Sequence, residues 1–335
     1  MTRFSQKIAL FGAAGAIGNT VARTLSAQGT PYRVVGRSRT ALERDFGADP
    51  LAEITTWNPD LPASVRAAAQ GIDTIIYTVG VDYTQFALHP EVMRKTLEGA
   101  IAVGVKRILL IATVYPYGRP QTMPVREDHA RAPHTFKGRM RKAQEDMLLD
   151  AHAKGLIDVT ILRLPDFYGP GVGDKSYLAS AFQAALDGGT ADLIGPIDVP
   201  HEFVFVPDVG PVVVRLLAES SAWGRTWHLG GAGATTQQAM VENMSLQARR
   251  RVRTRVAGKT MLRLLGLFKP MLREITEMHY LLTEPVILDD SALQNLIGPI
   301  AKTSYTEGVQ RTLEALRAQQ ELPSTTTGAL QHVGS

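Results

Sequence analysis

The 335-residue chain contains no cysteine. That absence excludes disulfides, thiolate nucleophiles and cysteine-ligated metal centres. An excess of one charge is also lacking: 36 Lys and Arg against 32 Asp and Glu leave a net +4, which gives little reason to expect nucleic acid. No apolar run reaches the ~18 residues of a membrane span. The first strand pattern begins near residue 7 without a signal-like apolar stretch before it. The expectation is a cytoplasmic protein with no nucleic-acid partner and no membrane span. What is present, 44% hydrophobic and 20% charged residues, suits a globular chain long enough for one large α/β domain with an appended lobe.

The chain is organised around residues 7–37. Apolar Ile8 to Phe11 breaks into Gly12-Ala-Ala-Gly15-Ala16-Ile17-Gly18, a helix-forming stretch follows, and Tyr32 to Val35 closes on Gly36-Arg37. Strand, glycine turn, helix and strand make the βαβ unit that a dinucleotide fingerprint requires. Gly12 would permit the tight turn, Gly15 the approach of a pyrophosphate, and Gly18 close helix–sheet packing. The helix start at Ala16 and Ile17 would offer free N–H groups to phosphate. An NAD site usually places an acid after the second strand; this chain has Arg37-Ser38-Arg39 and no acid until Glu43. A guanidinium and a hydroxyl suit a 2′-phosphate, so the expected cofactor is NADP(H) in preference to NAD(H).

Strands are expected at 52–57, 73–79, 106–112 and 159–164, with helices at 63–70, 90–103 and 136–152 between them. Short apolar strands alternating with helices imply a parallel, doubly wound sheet covered on both faces. Ligands then gather at the carboxyl ends of the strands, where Gly12, Arg37, Asn58, Gly80 and Thr113 lie. The expected division is a cofactor domain, 1–164 plus 201–230, with short returning strands at 202–206 and 227–229. A smaller, mostly helical substrate lobe would take 165–200 plus 231–320, and 321–335 would be a disordered tail.

These segments together resemble the extended short-chain dehydrogenase/reductase superfamily, the NAD-dependent epimerase/dehydratase-like group. The resemblance rests on GAAGAIG (12–18), ATVYPYG (112–118), KGRMRKAQEDMLL (137–149), LRLPDFYGPG (162–171), HEFVFVPDVG (201–210) and WHLGGAGATT (227–236). It implies a Rossmann-type fold and oxidoreduction or epimerisation at a carbonyl or alcohol carbon of a small-molecule substrate. It also implies cofactor contacts at Asn58 and Leu164, a substrate-orienting Thr113, and a homodimer through the helices near 90–103 and 137–152.

The family's chemistry uses a tyrosine as proton carrier and a lysine one helical turn on. No tyrosine occurs between Tyr117 and Tyr168; Lys137 stands where the tyrosine belongs, and Arg141 where the lysine belongs. Arg141 would hold the cofactor ribose. Candidate proton donors are Lys137, with its basic neighbours Arg139, Arg141 and Lys142, and Tyr115, Tyr117, Tyr168 or His134. Asp166, Tyr168 and His201 are candidate substrate contacts. No His/Asp/Glu cluster accompanies His201, so no metal is expected there. The alternatives to an altered enzyme are a non-catalytic NADP(H)-binding redox sensor and a structural homologue whose cofactor merely stabilises it. Finally, Gln247–Arg273 interleaves base with Met261, Leu262, Leu264, Leu265, Leu267 and Phe268. It is expected to be a lobe helix with its apolar side on the core; an apolar lid and a membrane-surface helix are the other readings. Arg249 to Arg255 would suit a substrate diphosphate.

Overall fold

The computed structural model describes residues 7–268 and 270–321. Its first half alternates as the patterning predicts. β1 (Ile8–Phe11), α1 (Ala16–Ala27), β2 (Tyr32–Gly36), α2 (Arg39–Phe46), β3 (Ala52–Thr56) and α3 (Pro62–Ala69) come first. β4 (Thr74–Tyr77), α4 (Leu88–Ala102), β5 (Arg107–Thr113), α5 (Phe136–Ala153) and β6 (Asp158–Leu164) follow. The strands are apolar on both faces because helices cover both. On one side α1 and a later helix, α7 (Val206–Ala218), bury Val21, Leu25, Val209 and Val213. On the other, α3, α4 and α5 bury Val65, Met93, Leu97 and Leu148.

One further strand, β10 (Thr226–His228), joins these six. The seven strands run in the order β10-β6-β5-β4-β1-β2-β3, and every neighbouring pair is parallel. The order reverses between β1 and β4, so the crevice at their carboxyl ends is where a ligand is received. β10 is only three residues long, and Trp227 within it is almost wholly buried.

The remainder departs from the expectation in three places. Between β7 (Asp166–Tyr168) and α7 lie α6 (Ala179–Asp187), β8 (Thr190–Ile194) and β9 (Phe203–Phe205). β9 does not return to the main sheet: it pairs with β7, which has left that sheet and offers it an edge. After β10 come α8 (Gln237–Gln247), β11 (Arg253–Ala257), α9 (Lys259–Gly266), α10 (Pro270–Met278), α11 (Ser291–Ile297) and α12 (Tyr305–Glu321). β11 pairs in parallel with β8, so the basic stretch after Gln247 is partly strand. It is also not an inward-facing helix. Leu262 is buried, but Met261, Leu264, Leu267 and Phe268 are 51%, 62%, 77% and 86% exposed. The expected tail lies, beyond Glu321, outside the described residues.

Candidate active site

The glycine turn sits at the reversal point and is built for close approach. Gly12 has φ +89°, and a Cβ there would lie 2.8 Å from the Thr78 carbonyl carbon. At Gly18 a Cβ would fall 2.6 Å from the Gly12 carbonyl oxygen, so helix and turn pack with no room for a side chain. Thr78, unremarked in the sequence, fastens the turn: its hydroxyl reaches the Phe11 and Gly12 carbonyl oxygens at 3.0 and 3.1 Å. Gly15 is the N-cap residue of α1, with no side-chain cap and no acid in the first turn. The amides near Ala16, Ile17 and Gly18 therefore lack a side-chain acceptor, and the helix end carries a partial positive charge. A Cβ at Gly80 would meet nothing within 4 Å. Turn, open helix end and space beside β4 fit a pyrophosphate with its nucleosides.

At the end of β2, Arg37 is exposed, and Arg39 lies 3.3 Å from Glu43. Ser38 is the N-cap of α2, its Oγ accepting from the Ala41 amide at 3.2 Å. Asn58 turns on its own loop instead: its Oδ1 accepts from the Asp60 amide at 2.9 Å, and its amide donates to Ser64 Oγ. Leu164 is buried at the end of β6, paired in register with Thr113.

Above the ends of β4 to β6 the chain gathers four tyrosines. Thr113, half-buried, accepts weakly from the Tyr115 amide at 3.4 Å. The Tyr83 hydroxyl is the hydrogen-bond partner of both Tyr115 and Tyr177, and Tyr280 and the Asp166 carboxylate lie close enough to act electrostatically on Tyr115 and Tyr177. Burial pushes the Tyr83, Tyr115 and Tyr177 hydroxyls well above the usual phenol range. Tyr280 is buried and its hydroxyl has no hydrogen-bond partner among the described residues. An orphaned buried hydroxyl is costly unless a ligand completes it. Tyr83, Tyr177 and Tyr280 escaped the sequence reading because they lie on three separate segments outside any motif. A tyrosine just past a strand end, as Tyr83 is past β4, was the available signal.

Lys137 enters this cluster from α5. Its side chain is fully buried, with Nζ 4.9 Å from the Tyr83 ring centroid and 5.7 Å from that of Phe86. The like-charged neighbours expected to surround it do not. Its ammonium bonds to Glu274 and, at 2.9 Å, to Glu277, both on α10. Glu277 also accepts from the Phe136 and Lys137 amides, and Thr135 caps the same helix through the Gly138 amide at 3.1 Å. Arg141, expected at the ribose, is buried with inward partners: His89 Nδ1 at 3.0 Å, Gln144 at 2.8 Å and the Ile111 carbonyl at 3.3 Å. Burial lowers the pKa of Arg141 and, with the Arg141 charge, drives that of His89 down to about 2.

The other candidates separate. Asp166 and His201 come together, Nε2 to carboxylate at 2.7 Å, at the edge of the tyrosine group. Tyr168 does not face this cleft: it is packed among Phe182, Phe205 and Tyr305, and its buried hydroxyl has no hydrogen-bond partner among the described residues. Tyr117 is buried in a separate network. There its hydroxyl lies 2.5 Å from both His228 Nε2 and Arg163, and Arg163 makes two bonds to Glu145, at 3.0 and 2.5 Å. His134 stacks edge-on against Tyr280 at 4.5 Å. It also helps line a neighbouring groove of about 610 Å³ whose wall carries Arg119, Arg139, Lys259, Arg263 and Arg273. Arg255, one of the suggested diphosphate contacts, is engaged with Asp192 at 2.6 Å.

Residues 8–230 match the model of the NAD dependent epimerase/dehydratase family. A protein of Arabidopsis thaliana that carries the name of a UDP-arabinose 4-epimerase is 32% identical over 100 residues, spanning 27% of this chain and only 24% of its own length. The dTDP-6-deoxy-L-talose 4-dehydrogenase (NAD(P)(+)) of Kitasatospora kifunensis is 26% identical over 249 residues, 70% of this chain and 77% of that one. Among solved structures, UDP-glucuronic acid 4-epimerase from Bacillus cereus in complex with NAD superposes with a TM-score of 0.78 at 15% identity. That match covers 94% of this chain and 100% of the other.

Proposed function

The chain belongs to the NAD dependent epimerase/dehydratase family, and from that premise we propose an NADP(H)-dependent oxidoreductase. Its substrate carries a carbonyl or alcohol on a small organic molecule, and Tyr115 does the proton work of the missing Y-x-x-x-K tyrosine. The observation that carries this reading is the tyrosine group at the carboxyl ends of β4 to β6, in which Tyr280 is buried, Tyr83, Tyr115 and Tyr177 are half-buried, and Tyr83 is the hydrogen-bond partner of Tyr115 and Tyr177.

The residues fit the cofactor. Gly12, Gly15 and Gly18 admit the pyrophosphate onto the open end of α1, with Ala16 and Ile17 supplying amides. Arg37 pairs with a 2′-phosphate and Ser38, though it caps α2, retains a proton to donate. Asn58, Gly80 and Leu164 line the nucleoside ends. When bound, the nicotinamide supplies two-electron hydride chemistry.

The chain's own groups complete the reaction. Thr113 orients the substrate oxygen, and Tyr115 gives it a proton. Tyr83, bonded to both Tyr115 and Tyr177, passes Tyr115 a replacement proton drawn from solvent, while the Lys137 ammonium beside the Tyr83 ring offsets negative charge as it develops. Asp166, His201 and the free hydroxyl of Tyr280 bind substrate. The names of the relatives support a sugar carried on a nucleoside diphosphate as the first substrate class to assay. Two further proposals follow the family pattern: a homodimer through α4 and α5, and a division into a cofactor unit, 1–164 plus 201–230, and a substrate lobe, 165–200 plus 231–320.

Loss of NADPH absorbance with nucleotide-linked keto-sugars and simple ketones tests the reading. Turnover in the wild type that Tyr115→Phe abolishes, with NADPH binding intact, is the expected result. Tight NADPH binding with no turnover on any carbonyl would favour the redox sensor instead.

A further inference from the structure

The exposed apolar side chains after β11 are a feature that the proposed reaction does not use. Met261, Leu264, Leu267 and Phe268 stand 51–86% exposed within eight consecutive residues. Contiguous apolar surface of this kind is unusual on a water-facing helix and marks something it docks against. Among the described side chains of α9, Leu262 is buried while Met261 and Leu264 are left to solvent.

What lies beside that face decides the partner. The groove of about 610 Å³ opens next to it and shares Leu267 with it. Five cations stand on its wall: Arg119 from the loop after β5, Arg139 from α5, Lys259 and Arg263 from α9, and Arg273 from α10. All five are exposed. Glu277 is the one carboxylate among the lining residues, and it is already engaged with Lys137 and two backbone amides. Arg119 and Arg273 share their charge with Glu284 at 2.6 Å and Glu274 at 3.7 Å. Arg139, Lys259 and Arg263 thus carry the groove's positive charge beside apolar side chains that project outward, the arrangement by which a surface helix lies in the headgroup region of an anionic bilayer. A second copy of this chain fits less well. A two-fold contact would set the cationic groove near its own image, repelling where the apolar residues attract.

We propose that the outer side of α9 and the turn after it, Met261 to Phe268, dock on an anionic lipid bilayer. Leu264, Leu267 and Phe268 enter the acyl boundary, and Lys259, Arg263 and the groove cations meet the headgroups. This goes beyond the reaction proposed above and does not rest on it.

Flotation of the full-length chain with vesicles is the test. Binding is expected to vesicles of phosphatidylcholine doped with phosphatidylglycerol, not to phosphatidylcholine alone, and to fall as salt rises. Lys259→Glu and Arg263→Glu should each weaken partitioning by at least about fivefold, the effect of one surface cation. Leu267→Asp combined with Phe268→Asp should abolish binding while leaving the melting temperature and NADPH binding unchanged. The proposal is overturned if the wild type floats with neither vesicle, or with both equally. It also fails if the variants bind as the wild type does, or if light scattering shows that the Asp pair breaks a dimer without touching vesicle binding.

Discussion

The Lys137 ammonium lies 4.9 Å from the centre of the Tyr83 ring. The cation comes from α5, and the phenol from the segment between β4 and α4. Tyr83 is in turn the hydrogen-bond partner of Tyr115 and Tyr177.

Tyr115→Phe should lower kcat by about 10²–10⁴-fold with little change in NADPH affinity, the usual loss when a positioned proton donor is removed. Tyr83→Phe, one bond further from the substrate, should cost less. Equal losses for both variants in steady-state assays would assign the donor to Tyr83.

Arg37→Ala should weaken NADPH binding by about tenfold, in line with losing hydrogen bonds to a charged group at an exposed site, and leave NADH unchanged. Calorimetry with both coenzymes reads this directly. Unaltered NADPH affinity would remove Arg37 from the 2′-phosphate site.

Glu145 is buried between two arginines, with Arg163 at 2.5 Å and Arg131 at 3.2 Å. Glu145→Ala strands the Arg163 guanidinium beside Tyr117 and should destabilise the fold by roughly 3–5 kcal/mol. Urea unfolding measures it. The network joins α5, β6 and β10 around a cluster that touches no proposed substrate group, so the loss should appear in stability before it appears in KM.

Two buried histidines set an acid limit. Burial, with the Arg141 charge on His89 and the Arg163 charge on His228, holds His89 at about 2 and His228 at about 4. Both folded values lie below that of an unfolded histidine, so the unfolded chain binds more protons in this range. Their contribution is intact above about pH 6.5 and declines by about 1.4 kcal/mol per pH unit for each group as pH falls toward the folded values. Replacing His89 with Gln keeps an acceptor for Arg141 and removes one titration. Stability curves from pH 7 to 5 should be flatter for His89→Gln than for the wild type.

The cofactor end of the fold was legible in the sequence because its chemistry is local. The spacing of Gly12, Gly15 and Gly18 is a backbone requirement, and the β1–α1–β2 periodicity surrounds it. The substrate end was not legible, for the opposite reason. Lys137 is flanked in sequence by cations, yet it meets Glu274 and Glu277, which only tertiary folding brings to it. Arg141 has the reach to face the cleft, but His89, Gln144 and the Ile111 carbonyl hold it inward. Ser38 could be read as a phosphate contact, and only the helix start at Arg39 reveals its work as a cap. The amphipathic spacing in α9 was visible, but a pattern does not say which side finds a partner.

Both carboxylates that clasp Lys137 sit on α10, well after the family-matched segment ends at residue 230. A ribosome that has released only the residues of the seven-stranded sheet has therefore made a buried ammonium whose counterions are still to be synthesised. The two halves of the cleft are separated in time as well as in sequence.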